Sequence, residues 1–205
     1  MAIDNPNQYD VNENQSFWKR VNPEGYLHAT PERGAKLIEL FNELGIEPSA
    51  SILELGCNCG RNLAALWDAG YHNLVGVEIN PKAVRVMNAN YGQSRPVLAA
   101  NMHCSSIEDY TKAQDQAGVQ FDVIYTMAVL FHMHPDSEWC YENIANMTGR
   151  YLITIECERS QKPPRHYARK YKAIFEGYGL KQVLERKGFA DLQDYRYTVR
   201  VFERC

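Results

Sequence analysis

No apolar run in this 205-residue chain reaches the roughly 20 residues that a membrane-spanning helix needs. The opening stretch, Met1-Ala-Ile-Asp-Asn-Pro-Asn-Gln8, has no charged segment followed by an apolar one, so it does not read as a secretory signal. A cytoplasmic protein is the expectation. A basic excess is missing too: 22 Lys and Arg face 25 Asp and Glu, a net charge of -3. Non-specific binding to nucleic acid therefore has no electrostatic footprint, although a local basic patch stays open. The six cysteines include no Cys-x-x-Cys pair, which removes the usual redox and zinc-knuckle signatures. Cys57 and Cys59 stand one residue apart and read as small residues in a tight turn, and thiols are expected rather than disulfides. Repeats, low-complexity tracts and linkers are absent. With 45% hydrophobic and 23% charged residues, the chain has the make-up of one globular domain with a real core.

What is present has a clear order. The first dozen residues are polar and read as a flexible tail. Phe17 to Tyr26 is aromatic, and such rings pack against something rather than stay in water. Residues 1–30 are thus an N-terminal arm, partly flexible and a candidate lid, and 31–205 form the single domain. Pro31 opens a helix through Leu37, Ile38, Leu40, Phe41 and Leu44, and Gly45 stops it. Strands are expected at 51–55, 73–78, 96–101, 121–126 and 151–156. Helices are expected at 62–69, 81–90, 106–117 and 136–147. Residues 167–187 read as mostly helical, followed by an antiparallel pair at 190–196 and 197–204. Alternating strands and helices imply a three-layer α/β sandwich around a mostly parallel seven-stranded sheet with an antiparallel C-terminal strand.

Open α/β sheets bind ligands beyond the carboxyl ends of their strands, where strand order reverses. After the first strand comes Glu54-Leu-Gly-Cys-Asn-Cys-Gly-Arg-Asn62. Gly56 and Gly60 offer bare backbone for a close ligand, and Asn58 is a residue that tolerates positive φ. Glu78 ends the next strand, placed to accept two ribose hydroxyls. A dinucleotide prefers Gly-x-Gly-x-x-Gly opening into a helix. The Gly-x-x-x-Gly spacing here suits a ligand without phosphates better, and NAD stays open.

These residues make the chain resemble class I S-adenosylmethionine-dependent methyltransferases over roughly Ile52 to Ile155. The resemblance implies a Rossmann-like fold and S-adenosylmethionine as cofactor. It implies that Glu54, Gly56, Cys57, Asn58, Gly60 and Asn62 hold the methionine portion. It places Glu78 at the ribose, Ile79 at the adenine, Ser106 and Ile107 (with Glu108) along the adenine, and Thr126 and Met127 under the cofactor. The strings Glu-Leu-Gly-Cys-Asn-x-Gly-Arg-Asn-Leu and Val129-Leu-Phe-His-Met-His-Pro-Asp136 are similar to small bacterial methyltransferases such as the pseudaminic acid biosynthesis-associated methylases. The centre Cys57-Asn58-Cys59 departs from the commoner small-Gly pattern.

Methyl transfer from a sulfonium needs positioning above all, and a base only when the acceptor must lose a proton. His132 and His134 follow the fourth strand and are the candidate bases. Packing against the cofactor loop or capping the helix that begins near Asp136 is the alternative for His132. His132, His134 and Cys140 could bind zinc, but no further ligand stands at recognisable spacing, and no metal is expected. Glu156, and Glu158 after it, follow the fifth strand and could orient a histidine or meet a cationic acceptor. Arg165, Tyr167 and Arg169 belong to a basic, aromatic stretch suited to an acidic substrate or to the outer face of a helix. Trp18, Tyr26 and His28 in the arm could close over the site and exclude water, or form a structural strap. The expected reaction is methylation of an oxygen or nitrogen of a small molecule, a sugar or acidic metabolite among the candidates. A nucleic-acid or protein methyltransferase is one alternative, disfavoured for bases by the absence of Asp/Asn-Pro-Pro-aromatic after the fourth strand. A non-catalytic S-adenosylmethionine-binding protein is another. No membrane partner is expected, and a homodimer is left open.

Overall fold

The structure, a computed structural model, describes residues 9–27, 32–159, 165–189 and 196–205. Helix α1 (Val11–Trp18) and the single turn α2 (Glu24–Leu27) form the arm, and α3 (Glu32–Glu43) opens the domain. Then follow β1 (Ile52–Leu55), α4 (Arg61–Asp68), β2 (Leu74–Glu78), α5 (Pro81–Tyr91), α6 (Pro96–Ala100), β3 (Met102–Cys104) and α7 (Ile107–Gln116). β4 (Phe121–Met127) leads through two 3-10 turns to α8 (Cys140–Met147) and β5 (Thr148–Cys157). The chain ends with α9 (Tyr171–Gly177), β6 (Leu180–Lys187) and β7 (Tyr197–Arg204).

The strands form one sheet in the order β3-β2-β1-β4-β5-β7-β6. The first five are mutually parallel, and β7 runs antiparallel between β5 and β6. Strand side chains alternate between the faces. Ile52, Val123, Tyr125 and Ile153 join Leu37, Phe41, Leu63 and Met87 from α3, α4 and α5 on one side. Leu53, Leu55, Ile124 and Leu152 join Ile107, Ile144 and Phe175 from α7, α8 and α9 on the other. The result is the expected Rossmann-like three-layer sandwich.

Several elements differ from the sequence reading. The polar start is not all tail: Asp10 accepts from the Glu13 amide while Glu13 accepts from the Asp10 amide, a capping box that starts α1. Pro96 begins a helical turn rather than a strand, and the third strand is the short edge segment β3 behind it. Residues 180–187 are strand rather than helix. Their Leu, Lys, Gln and Glu favour helix, but pairing with β7 overrides that propensity. The antiparallel pair is therefore β6 and β7. Residues 190–195, expected as one of its strands, lie outside the described residues. Among the described residues, no helix is long and apolar enough to cross a membrane.

Candidate active site

Strand order reverses between β1 and β4, and the cavity opens there, beyond the carboxyl ends of β1, β2 and β4. Its loop wall is built by backbone. Gly56 and Cys57 both donate to the Val77 carbonyl. Gly56, Asn58 and Gly60 have φ of 74°, 50° and 70°. A Cβ on Gly56 would lie 2.4 Å from Val129 Cγ2, and one on Gly60 2.7 Å from Met87 Cγ. Conformation and close approach together require glycine at both positions.

Two acids face this loop in different states. Glu54 is buried, and its Oε1 accepts from the Asn62 amide at 2.9 Å. Its Oε2 and Asn62 Oδ1 are buried and make no hydrogen bond of ordinary geometry among the described residues, and the Tyr125 hydroxyl is the polar group facing this carboxyl. Burial pushes the Glu54 carboxyl up to about 7, with the Asn62 bond pulling the other way. Glu78 Oε2 accepts from the Asn58 amide at 2.9 Å and Oε1 from the Asn80 amide at 2.8 Å. The Ile79 amide also acts on this carboxylate, and its remaining lone pair is open to a further donor. Burial raises the Glu78 carboxyl also.

Ile79, Ile107, Glu108 and Met127 line the cavity further on. Ser106 does not. It caps α7 by accepting from the Asp109 amide. Thr126 is fully buried beneath the cavity floor. Ala128, beside it, has φ of 58°, a strained value for a residue with a side chain.

His132 reaches the cavity wall. Its Nδ1 lies 3.0 Å from the Arg165 carbonyl. A carbonyl only accepts, so Nδ1 carries the hydrogen and Nε2 is the basic nitrogen. Burial pushes this imidazole down to about 4, so it is neutral at physiological pH. His134 does not line the cavity. Its Nδ1 accepts from the Asp136 amide and caps a 3-10 turn, so the capping role weighed for His132 falls to His134. Among the described residues, no group of three His, Cys, Asp or Glu could hold a metal ion.

Glu156 also stands outside the cavity. Both its oxygens accept from the Val129 amide at 3.2 Å. Burial raises its carboxyl to about 7, and the Leu130 and Phe131 amides draw it back. It anchors the loop carrying Ala128 and His132. Glu158, next along, is ion-paired with Arg200 at 2.6 Å. The basic stretch is structural as well. Arg169 is buried, pairs with Glu138 and donates to the Leu130, Met133 and Tyr167 carbonyls. The Tyr167 amide donates to the Phe131 carbonyl, and Arg165 lies over the rings of Tyr9 and Phe17. Tyr26 lines the cavity, and its carbonyl accepts from Arg61. His28 lies outside the described residues.

The arm supplies wall residues that sequence reasoning missed, Asn14 above all, and Trp18 meets His132 ring to ring at 4.2 Å. The arm is strapped down by Asn80, whose amide donates to the Val21 carbonyl, and by Lys82 on Asn22. Arg33 and Arg61 complete the wall near the glycine loop.

Fold and site define an open α/β domain with its ligand cavity at the switch point. Residues 52–149 match the model of a family described as a methyltransferase domain. That segment carries Glu54, the loop, Glu78, Met127 and His132. Solved structures share the fold across the whole chain. One is the magnesium protoporphyrin IX methyltransferase of Synechocystis PCC 6803 with bound SAM, 18% identical over 85% of this chain and 79% of that one, TM-score 0.65. A second is the 1,6-didemethyltoxoflavin-N1-methyltransferase of Burkholderia thailandensis with 1,6-didemethyltoxoflavin and S-adenosylhomocysteine, 15% identical over 100% and 92%, TM-score 0.69. A third is a TehB-like SAM-dependent methyltransferase of Corynebacterium glutamicum, 17% identical over 96% and 100%, TM-score 0.63. No curated protein matches the chain.

Proposed function

We propose that the protein transfers the methyl group of S-adenosylmethionine to an oxygen or nitrogen of a small molecule, with His132 as base. The observation that carries the reading is the pair of acids at the switch point. Glu54 has a buried oxygen that makes no hydrogen bond of ordinary geometry among the described residues, and Glu78 keeps a lone pair open to a further donor. A ligand with a cationic end and two neighbouring hydroxyls matches that pair, and the solved relatives bind such a ligand. Glu78 takes the ribose hydroxyls and Glu54 the cationic amino-acid end. Ile79 and Ile107 border the adenine, and Met127 lies below the cofactor.

The cofactor supplies an electrophilic methyl on a sulfonium, whose leaving group is neutral and needs no acid. The acceptor atom uses a lone pair to bond the methyl carbon, and the carbon–sulfur pair stays on sulfur. The acceptor's proton goes to Nε2 of His132 and from there to water. A weakly basic imidazole suffices, because a methylated hydroxyl is far more acidic than the free one. The arm walls the acceptor side and excludes water. A cavity walled by one short helix suits a small acceptor rather than a polymer.

Calorimetry with S-adenosylmethionine and with NAD tests the reading. S-adenosylmethionine is expected to bind and NAD not. Glu78→Ala is expected to weaken binding by about 1–3 kcal/mol, the cost of lost hydrogen bonds to a carboxylate. NAD binding in place of S-adenosylmethionine would refute it.

A further inference from the structure

Asn14 and Trp18 stand four residues apart, on one face of α1, and both line the cavity. Asn14 is only 4% exposed. Its amide nitrogen donates to the His132 carbonyl at 2.9 Å. That bond fixes which end of the amide is nitrogen, so the other end is an oxygen. This Oδ1 is buried without a partner among the described residues, and so is Trp18 Nε1. One is an acceptor only and the other a donor only. Native chains rarely leave such atoms unpaired, and an orphaned pair beside a cavity needs an explanation.

The pair is not a by-product of a loose segment. The capping box fixes the start of α1, and Phe17 packs under the Arg165 guanidinium at 4.2 Å. The Trp18 ring itself rests on the His132 imidazole. Asn14 and Trp18 thus both contact His132, one at its carbonyl and one at its ring.

One small group can satisfy both atoms together: a hydroxyl, which donates to Asn14 Oδ1 and accepts from Trp18 Nε1. A carboxylate cannot donate to Asn14, and an apolar group satisfies neither. We propose that this face of α1 is a hydroxyl-recognition subsite, and that the acceptor is a vicinal diol. One hydroxyl gives its proton to His132 Nε2 and takes the methyl, while its neighbour bridges Asn14 and Trp18. The proposal rests on the methyl-transfer reading above. Asn14 and Trp18 are specificity residues in it.

The test uses the full chain with S-adenosylmethionine and follows release of S-adenosylhomocysteine. The probes are catechol against phenol and salicylate, and cis-1,2-cyclohexanediol against cyclohexanol. At least one diol is expected to exceed its mono-hydroxyl partner, and catechol to exceed salicylate, by about tenfold or more in kcat/KM. Trp18→Phe keeps a ring on His132 but removes the N–H. It is expected to erase that preference by raising KM for the diol, with the Kd for S-adenosylmethionine changed less than twofold. Turnover of phenol or salicylate as fast as catechol, or no turnover of any diol by protein that binds S-adenosylmethionine, overturns the subsite. A diol preference unchanged in Trp18→Phe overturns it as well. If that variant does not fold, the wild-type preference decides alone. Protein that does not bind S-adenosylmethionine refutes the methyl-transfer reading instead, so the two failures are distinct.

Discussion

Binding of S-adenosylmethionine should release a proton from Glu54, and affinity should fall as pH drops below 7. Burial disfavours the charge on this carboxyl and holds it at about 7, against the pull of Asn62 and Tyr125. A cation beside it restores the ordinary preference for the charged form. The sign follows directly: below 7 the free protein holds a proton that the complex does not, so binding weakens as pH falls. At pH 6 about nine-tenths of the free protein is protonated at Glu54, and affinity should be about tenfold weaker than at pH 8, or about 1.4 kcal/mol. Calorimetry in buffers of different ionisation enthalpy reads both quantities. About one proton should leave at pH 6 and about a tenth of one at pH 8. His132 does not interfere, since burial holds it at about 4 and it stays neutral throughout that window. Glu54→Gln keeps the hydrogen bond to Asn62 in reach and removes the titration, leaving only the ligand's own ionisations. A wild-type affinity that is flat from pH 6 to 8, or a slope that survives in Glu54→Gln, would refute the reasoning.

Gly56→Ala forces a methyl to 2.4 Å from Val129 at positive φ, so thermal denaturation should show a loss of about 1–3 kcal/mol and a weakened cofactor site. Glu156 is raised from 4.5 to about 7, so the folded state holds a proton there that the unfolded chain releases. Its contribution to stability is full below 4.5 and is lost as pH rises to 7. Denaturant unfolding of Glu156→Gln should therefore improve relative to wild type by about 3 kcal/mol across that window, whatever its offset at low pH. His132→Ala should lower turnover by about 10²–10⁴-fold while cofactor affinity holds. Unchanged turnover would remove it as the base.

The sheet was readable because β1, β2, β4 and β5 are largely buried on both faces and carry mostly apolar runs such as Tyr151-Leu-Ile-Thr-Ile155. The edges were not. β3 is three residues long, and β6 exposes most of its side chains, so neither carries enough apolar pattern to outweigh local propensity. The start of α1 did leave a sign, Asp10 and Glu13 at capping-box spacing. The surrounding Asn and Gln hid it by composition.

The site divides along the same line, and its three strand-end acids show why. Glu54, Glu78 and Glu156 all close a parallel strand and all look alike in sequence. What separates them is the partner each finds. Glu78 meets loop amides and keeps a lone pair open, Glu54 meets the side chains of Asn62 and Tyr125, and Glu156 spends both oxygens on the Val129 amide. Ala128, just before the Val129 amide, stands at positive φ, where a chain turns back on itself. That turn also presents His132 to the cavity and leaves His134 capping behind it. The positive φ at Ala128, unmarked in the sequence, thus lies between the strand end and the turn in which His132 lines the cavity and His134 does not.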